Sequence, residues 1–372
     1  MSISRLRWTR ILPELDLRHP IGKPSGRSSH GVSWIQSTSR LVIHGGERIP
    51  RTPLEDHDAT WVCDFAGDDD RPERGRWRAI TGGGGTGSPP VRLGHAQASH
   101  AGSSSVYVFG GRSGIGMREE ARNDLWKLDC SGPPGSETWS EVTPEGDGPV
   151  PEARSFHRMV CLDDSLYVFG GCGTESGRLS DLHRFDIPGR TWHDLGSSHH
   201  LRGRGGAALL PLDAGNALGV VAGFAGEETN DGHVFRLGTG RWAEESLTDS
   251  LRDLRPRSVC VGGSFPAAGV SVVFGGEVEP SAMDHEGAGG FENDIVLLEE
   301  ATGKHLETVP QPQPHGNGDE DPGVPEPRGW SDGAVALDER GGSLFVFGGL
   351  TGDDAAPKRL DDLWKLTVST AA

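Results

Sequence analysis

Six times along this chain an apolar, strand-like run ends in a diglycine or its near equivalent. The runs are Leu41 to Gly46, Val106 to Gly111, Leu166 to Gly171, Leu218 to Gly223, Val272 to Gly276 and Leu344 to Gly349. Successive second glycines lie 65, 60, 52, 53 and 73 residues apart, a repeat near fifty residues with two long insertions. A chain built this way must stack one small supersecondary unit on the next, because no single unit can bury its own faces.

Two further marks recur in register with the glycines. Upstream stands an arginine-led segment: Arg27-Ser28-Ser29, Arg92-Leu93-Gly94, Arg154-Ser155-Phe156, Arg204-Gly205-Gly206, Arg257-Ser258-Val259 and Arg328-Gly329-Trp330. Downstream comes an acidic-led strand, as in Asp124-Leu125-Trp126, Asp181-Leu182-His183 or Asp362-Leu363-Trp364, and then in most units a tryptophan: Trp77, Trp139, Trp192, Trp242. The histidines His30, His95 and His157 recur at one place in three repeats, which assigns them to blade geometry through hydrogen bonds to backbone.

The pattern resembles the kelch repeat over nearly the whole chain, and the resemblance implies an all-β fold, a six-bladed β-propeller. Glycine permits the tight backbone turns that such blades need. The blades are expected at about 27–80, 92–143, 154–196, 204–246, 257–309 and 328–368, within one domain spanning 1–372. The last unit stops short of a fourth strand, and Arg7 to Leu12 has the length and character to supply it. The spacing therefore predicts ring closure by the N- and C-terminal strands in one blade, with no open sheet edge.

Composition narrows the function classes. With 57 Gly and 25 Pro, and no sustained 3.6-residue apolar stripe, helix should be scarce. No run approaches a membrane span and no signal-peptide core is present, so a cytoplasmic protein without a membrane partner is the expectation. Five scattered cysteines without CxxC spacing point to a reducing compartment and not to zinc. A formal net charge of −18 disfavours nucleic acid as a partner. The acidic, proline-rich insertion 310–327 reads as a mobile loop over one face. Neither a GxSxG elbow, a Cys-His nucleophile signature nor a phosphate-cradling loop occurs, and Gly82 to Gly85 read as a linker. A copper radical oxidase would need a Tyr-Cys cross-link, and the only tyrosines, Tyr107 and Tyr167, lie inside strands.

The segment after the fifth diglycine carries the most chemistry. Between Glu277 and Glu286 it holds four carboxylates and one imidazole, donors that suit a divalent first-row metal, ferrous iron among them. From Phe274 to Asn293, with Arg328-Gly329-Trp330 and Gly348-Gly349, the chain also resembles the plant specifier proteins: nitrile-specifier, epithiospecifier and thiocyanate-forming proteins. These kelch propellers act on unstable glucosinolate aglycones with Fe2+ held by a Glu-x-x-x-Asp-x-x-x-His motif. Glu277 matches its Glu and His285 its His, while Ser281 stands where the family has Asp. Asp284 or Glu279 is then needed to restore the missing carboxylate. The resemblance further implies that Arg112 and Arg178 hold an anionic substrate, and that Phe156 and Trp330 wall the pocket.

Two functions follow. One is a specifier-like, Fe2+-dependent lyase or isomerase acting on a small anionic, sulfur-containing substrate of thiohydroximate type, directing it for example to a nitrile. The other is a non-enzymatic kelch module whose loops bind a protein partner. His199 and His200 sit together at a turn and read as exposed side chains.

Overall fold

The computed structural model describes residues 3–65, 74–80, 87–114, 121–283, 286–312 and 323–370. Much of the insertion 310–327, the run Gly82 to Gly85, and both Asp284 and His285 lie outside the described residues. Six antiparallel sheets make the six blades of a β-propeller. The chain divides into two compact units, one of Met1–Ile11, His199–Leu201 and Gly206–Ala372, the other of Leu12–Ser198 and Arg202–Gly205.

In the second of these, blade one is Gly31–Ile35, Arg40–His44, Thr60–Asp64 and Arg76–Ala79. Blade two is Ala96–His100, Ser105–Phe109, Leu125–Asp129 and Thr138–Glu141. Blade three is Arg158–Leu162, Ser165–Gly173, Gly177–Asp186 and Thr191–Ser197, with Arg154–Ser155 as a short extra strand. Their second strands are apolar on both faces because both are covered: Leu41, Val42, Ile43, Val106, Val108, Leu166 and Val168 are wholly buried. Trp77, Trp139 and Trp192 all stand on outermost strands.

The other unit holds blade four, Ala208–Leu212, Ala217–Phe224, Glu228–Arg236 and Arg241–Trp242. Blade five follows as Val261–Phe265, Val270–Glu279, Gly290–Glu299 and His305–Val309. Blade six is Asp332–Asp338, Gly341–Thr351 and Lys358–Thr370, and its fourth strand is Ile3–Ile11, from the N-terminus. Trp8 pairs with Leu366 and Ile11 with Leu363, so the two ends of the chain close one blade as the repeat count requires. Among the described residues helix is confined to single turns at Asp56–Ala59 and Thr248–Leu251 and to three 3-10 turns.

The recurring arginines, diglycines and acids prove to be parts of one clamp. Arg92, Arg154, Arg257 and Arg328 are each fully buried. Each gives Nη1 to the carbonyl of the first glycine of its own blade, at 2.8–3.1 Å. The two Nη atoms then grip an acidic residue just before or within the third strand, Asp124, Asp181, Asp294 or Asp362. Fully buried guanidinium is tolerated only with such pairing. Burial alone would raise the carboxyls of Asp124, Asp181 and Asp362, but the paired guanidinium, with His183 at Asp181, more than reverses this and holds all three below the usual range. The second glycine adds a tie to the next blade: Gly111 N–H donates to the Arg154 carbonyl and Gly276 N–H to that of Arg328. His157 meets the backbone expectation through Nε2 and the Phe109 carbonyl, 3.1 Å apart.

The two glycines are not equivalent. At the first position φ lies near +60°, and Ala222 occupies it in blade four at +59°. At the second, φ runs from +88° to +114°, outside the region open to L residues, and every blade has glycine there. A Cβ on Gly171 would also lie 2.7 Å from the Ser155 carbonyl oxygen. Gly171→Ala should therefore destabilise the protein by about 2–4 kcal/mol, with Gly170→Ala costing less than half as much. Denaturant titration of the two variants checks the order, and equal losses would contradict it.

Candidate metal centre

The third residue of each arginine-led segment stands at positive φ: Ser29, Gly94, Phe156, Gly206, Val259 and Trp330 lie between +46° and +62°. Their backbones are linked from blade to blade. Trp330 N–H donates to the Val259 carbonyl at 3.0 Å and Val259 N–H to Gly206 at 2.8 Å; in the other unit Phe156 N–H reaches Gly94 at 2.6 Å and Gly94 N–H reaches Ser29 at 2.8 Å. Left-handed backbone is costly for a β-branched or aromatic residue, so strain held at Val259, Phe156 and Trp330 marks where to look for function.

Beside Trp330 lies Glu277, the first residue past the fifth diglycine and only 7% exposed. Trp330 Nε1 donates to Glu277 Oε2 at 3.2 Å. Burial, and next the nearby carboxylate of Glu228, push the Glu277 carboxyl up to about 7; Asp354 adds to the rise, while Trp330 and the Ser281 N–H oppose it. Glu228, Glu277 and Asp354 thus bring one carboxyl each from blades four, five and six. Ser281 Oγ and the Ala282 N–H both bond to Asp354, the latter at 3.1 Å.

The loop laid over these acids has glycine where it meets them. A Cβ on Gly289 would fall 2.5 Å from Glu277 Oε1, and one on Gly287 would fall 2.1 Å from Asp354 Oδ1. Gly329 leaves room for the Phe291 ring, whose atoms a Cβ there would meet at 2.9 Å. The result is a half-buried acidic cradle roofed by backbone and flanked by Trp330 and Phe291. Carboxyls held where burial and mutual repulsion penalise their charge are of the donor type a divalent cation takes, although among the described residues the oxygens of these three do not gather into one set within 4.8 Å.

The structure corrects one detail of the sequence reading. Glu279 does not restore the carboxylate absent at Ser281, since it is exposed and held outward by Arg255 at 2.6 Å. The carboxylate that meets Ser281 is Asp354, from the next blade. Asp284 and His285 lie outside the described residues. Glu228 and Asp354 escaped sequence reasoning, yet a signal existed: each stands five residues past the second glycine of its blade, Gly223 and Gly349, the same offset as Ser281 from Gly276.

Arg112, Phe156 and Arg178 belong to the other unit and are brought together there. Arg112 Nε donates to Ser155 Oγ at 3.1 Å, and its guanidinium carbon lies 5.9 Å from the centre of the Phe156 ring, within cation–π range. Arg178 faces Cys172 across a strand pair. Burial raises the Cys172 thiol while Arg178 and Arg112 pull it the other way, so both guanidiniums act on one point. Cys172 was not singled out from the sequence, which shows no partner cysteine near it.

Known proteins agree with this architecture. Residues 71–276, more than half of the chain, match the model of the KLHDC2/KLHL20/DRC7 Kelch-repeats domain, and the chain belongs to the kelch-repeat family. It is similar to N-(sulfonatooxy)prop-2-enimidothioate sulfolyase of Thlaspi arvense, 26% identical over 374 residues that cover 94% of each chain. It is also similar to Adagio protein 3 of Arabidopsis thaliana, 28% identical over 96% of this chain and 54% of that protein, so the chain spans about half the length of that relative. The solved structure of YjhT superposes with a TM-score of 0.62 at 18% identity, covering 94% of this chain and 98% of that one, which shows the shared fold. No helix among the described residues is long and apolar enough to cross a membrane.

Proposed function

We propose that the chain is a specifier-like lyase that uses a ferrous ion to fragment a small anionic, sulfur-containing substrate of thiohydroximate type. The observation that carries this reading is the buried Glu277, set among Glu228 and Asp354 beneath the strained Trp330. Similarity to a sulfolyase along 94% of each chain supports the substrate class.

Glu277 and Asp354, with His285 from the family motif, are the residues that would hold the ion, and Ser281 would keep Asp354 oriented. Bound there, Fe2+ would supply a Lewis acid with affinity for the substrate sulfur. Burial and Glu228 raise the Glu277 carboxyl to about 7, and a proton held there must leave the carboxyl oxygen when a cation enters. Trp330 and Phe291 supply apolar walls that limit water beside the reacting centre. The family resemblance assigns the anionic group to Arg112, whose Nε donates to Ser155 and whose guanidinium lies beside Phe156, and to Arg178. The overall conversion is balanced without another reactant. The N–O and C–S bonds of R–C(S−)=N–OSO3− break to give R–C≡N, elemental sulfur and sulfate, with sulfur oxidised and the N–O bond reduced.

The test is product analysis. A prop-2-enyl thiohydroximate O-sulfonate released in situ should give nitrile in place of the spontaneous isothiocyanate when the protein and Fe2+ are both present. Arg112→Met should lower this yield by about tenfold or more, the scale of one lost charge-assisted hydrogen-bond pair. A product mixture identical to the protein-free control would overturn the lyase reading and leave the protein-binding module.

A further inference from the structure

His199, His200 and His233 form a cluster that the acidic cradle does not use. One ring nitrogen from each lies within 4.8 Å of the others. The ring centres are 4.4–4.9 Å apart, and His233 stacks on Trp242 at 5.0 Å with an interplanar angle of 18°. His233 is wholly buried in the strand Glu228–Arg236, whereas His199 and His200 are exposed. All three belong to one compact unit.

From this geometry we propose that His199, His200 and His233 bind a divalent transition metal, with Zn2+ the best fit, at a second site on blade four.

Two of the rings are tied to the backbone through Nε2. His233 Nε2 lies 2.8 Å from the Ala243 carbonyl and His200 Nε2 lies 2.8 Å from the Glu244 carbonyl. A carbonyl only accepts, so in each neutral ring the proton sits on Nε2 and the lone pair on Nδ1. A backbone carbonyl holding one nitrogen while the other ligates is the usual second contact of a metal-bound histidine. Zn–N bonds of about 2.0–2.1 Å place tetrahedral nitrogens roughly 3.4 Å apart. The exposed ring of His199 can close that gap by side-chain rotation, while Glu244 holds His200 and Trp242 and Ala243 hold His233. Three imidazoles leave a fourth position open to water or an exogenous ligand, and nitrogen donors alone favour zinc, copper or nickel over the harder ions expected at the acidic cradle.

The experiment is equilibrium dialysis of the chelator-stripped full chain against Zn2+, followed by metal analysis. Wild type should take up about one equivalent at this site, and Glu277→Gln should retain it. His199→Ala/His200→Ala, which changes only exposed side chains, should bind more than about tenfold more weakly with an unaltered thermal midpoint. His233→Gln should lose zinc as well. Undiminished binding in the double variant, zinc lost only in Glu277→Gln, or no uptake by wild type at about 0.1 mM free Zn2+, the weak end of specific affinity, would each overturn the proposal.

Discussion

Arg257→Leu destabilises the protein by about 3–5 kcal/mol, the scale of a buried ion pair broken from one side. The loss has an identifiable source. Arg257 is fully buried and satisfies the Gly275 carbonyl at 2.9 Å and both oxygens of Asp294 at 2.6 and 2.9 Å. Leucine fills part of the space but leaves Asp294 charged, 13% exposed and without its counter-ion. Replacing both partners, as Arg257→Leu/Asp294→Leu, should recover at least half of the loss, because no unpaired charge then remains. Denaturant midpoints of the two variants measure it. A single-variant loss below about 1 kcal/mol, the range of a surface pair, would contradict a clamp that positions the diglycine and hence Glu277.

The second large effect has opposite signs for stability and for binding. The Glu277 carboxyl is raised to about 7 in the folded protein, above its unfolded value of 4.5. Its contribution to stability is therefore fully present below pH 4.5 and is lost as pH rises through 7. Above pH 8 the metal-free protein carries an ionised carboxylate that burial and Glu228 disfavour. Glu277→Gln keeps an oxygen for Trp330 and removes that charge, so it should stabilise the metal-free protein by about 2–3 kcal/mol at pH 8 and change little at pH 4. Thermal or denaturant unfolding at the two pH values checks this. A gain in stability on removing a residue is the mark of a site kept for function at the expense of the fold.

The scaffold was legible in the sequence because its devices are local. Each diglycine, arginine and acid lies within one repeat, and each is demanded by a backbone angle or by a buried charge that nothing else could satisfy. Closure by Ile3–Ile11 was legible for a related reason, since a blade short of one strand at one end requires a spare strand at the other. The centre was legible only in part. Glu277 and Trp330 could be placed from a motif, but Glu228 and Asp354 come from neighbouring blades. Their convergence depends on hairpin lengths that no single repeat records. The same holds for His199, His200 and His233, whose approach spans 34 positions of sequence and depends on where the short segment His199–Leu201 lies. Glu279, acidic and close to Glu277 along the chain, was misleading because the register shift between Glu277 and Glu279 breaks the strand alternation and Arg255 holds Glu279 outward.

The central claim is that Glu277 is the anchor of a ferrous site, and anaerobic Fe2+ titration tests it most directly. The His199→Ala/His200→Ala protein should be used, so that the imidazole cluster does not contribute, and compared with the same protein carrying Glu277→Gln. The account predicts saturable uptake of about one Fe2+ at pH 7 in the first and at least about tenfold weaker uptake in the second. Equal uptake by the two proteins, or none by either, would contradict it.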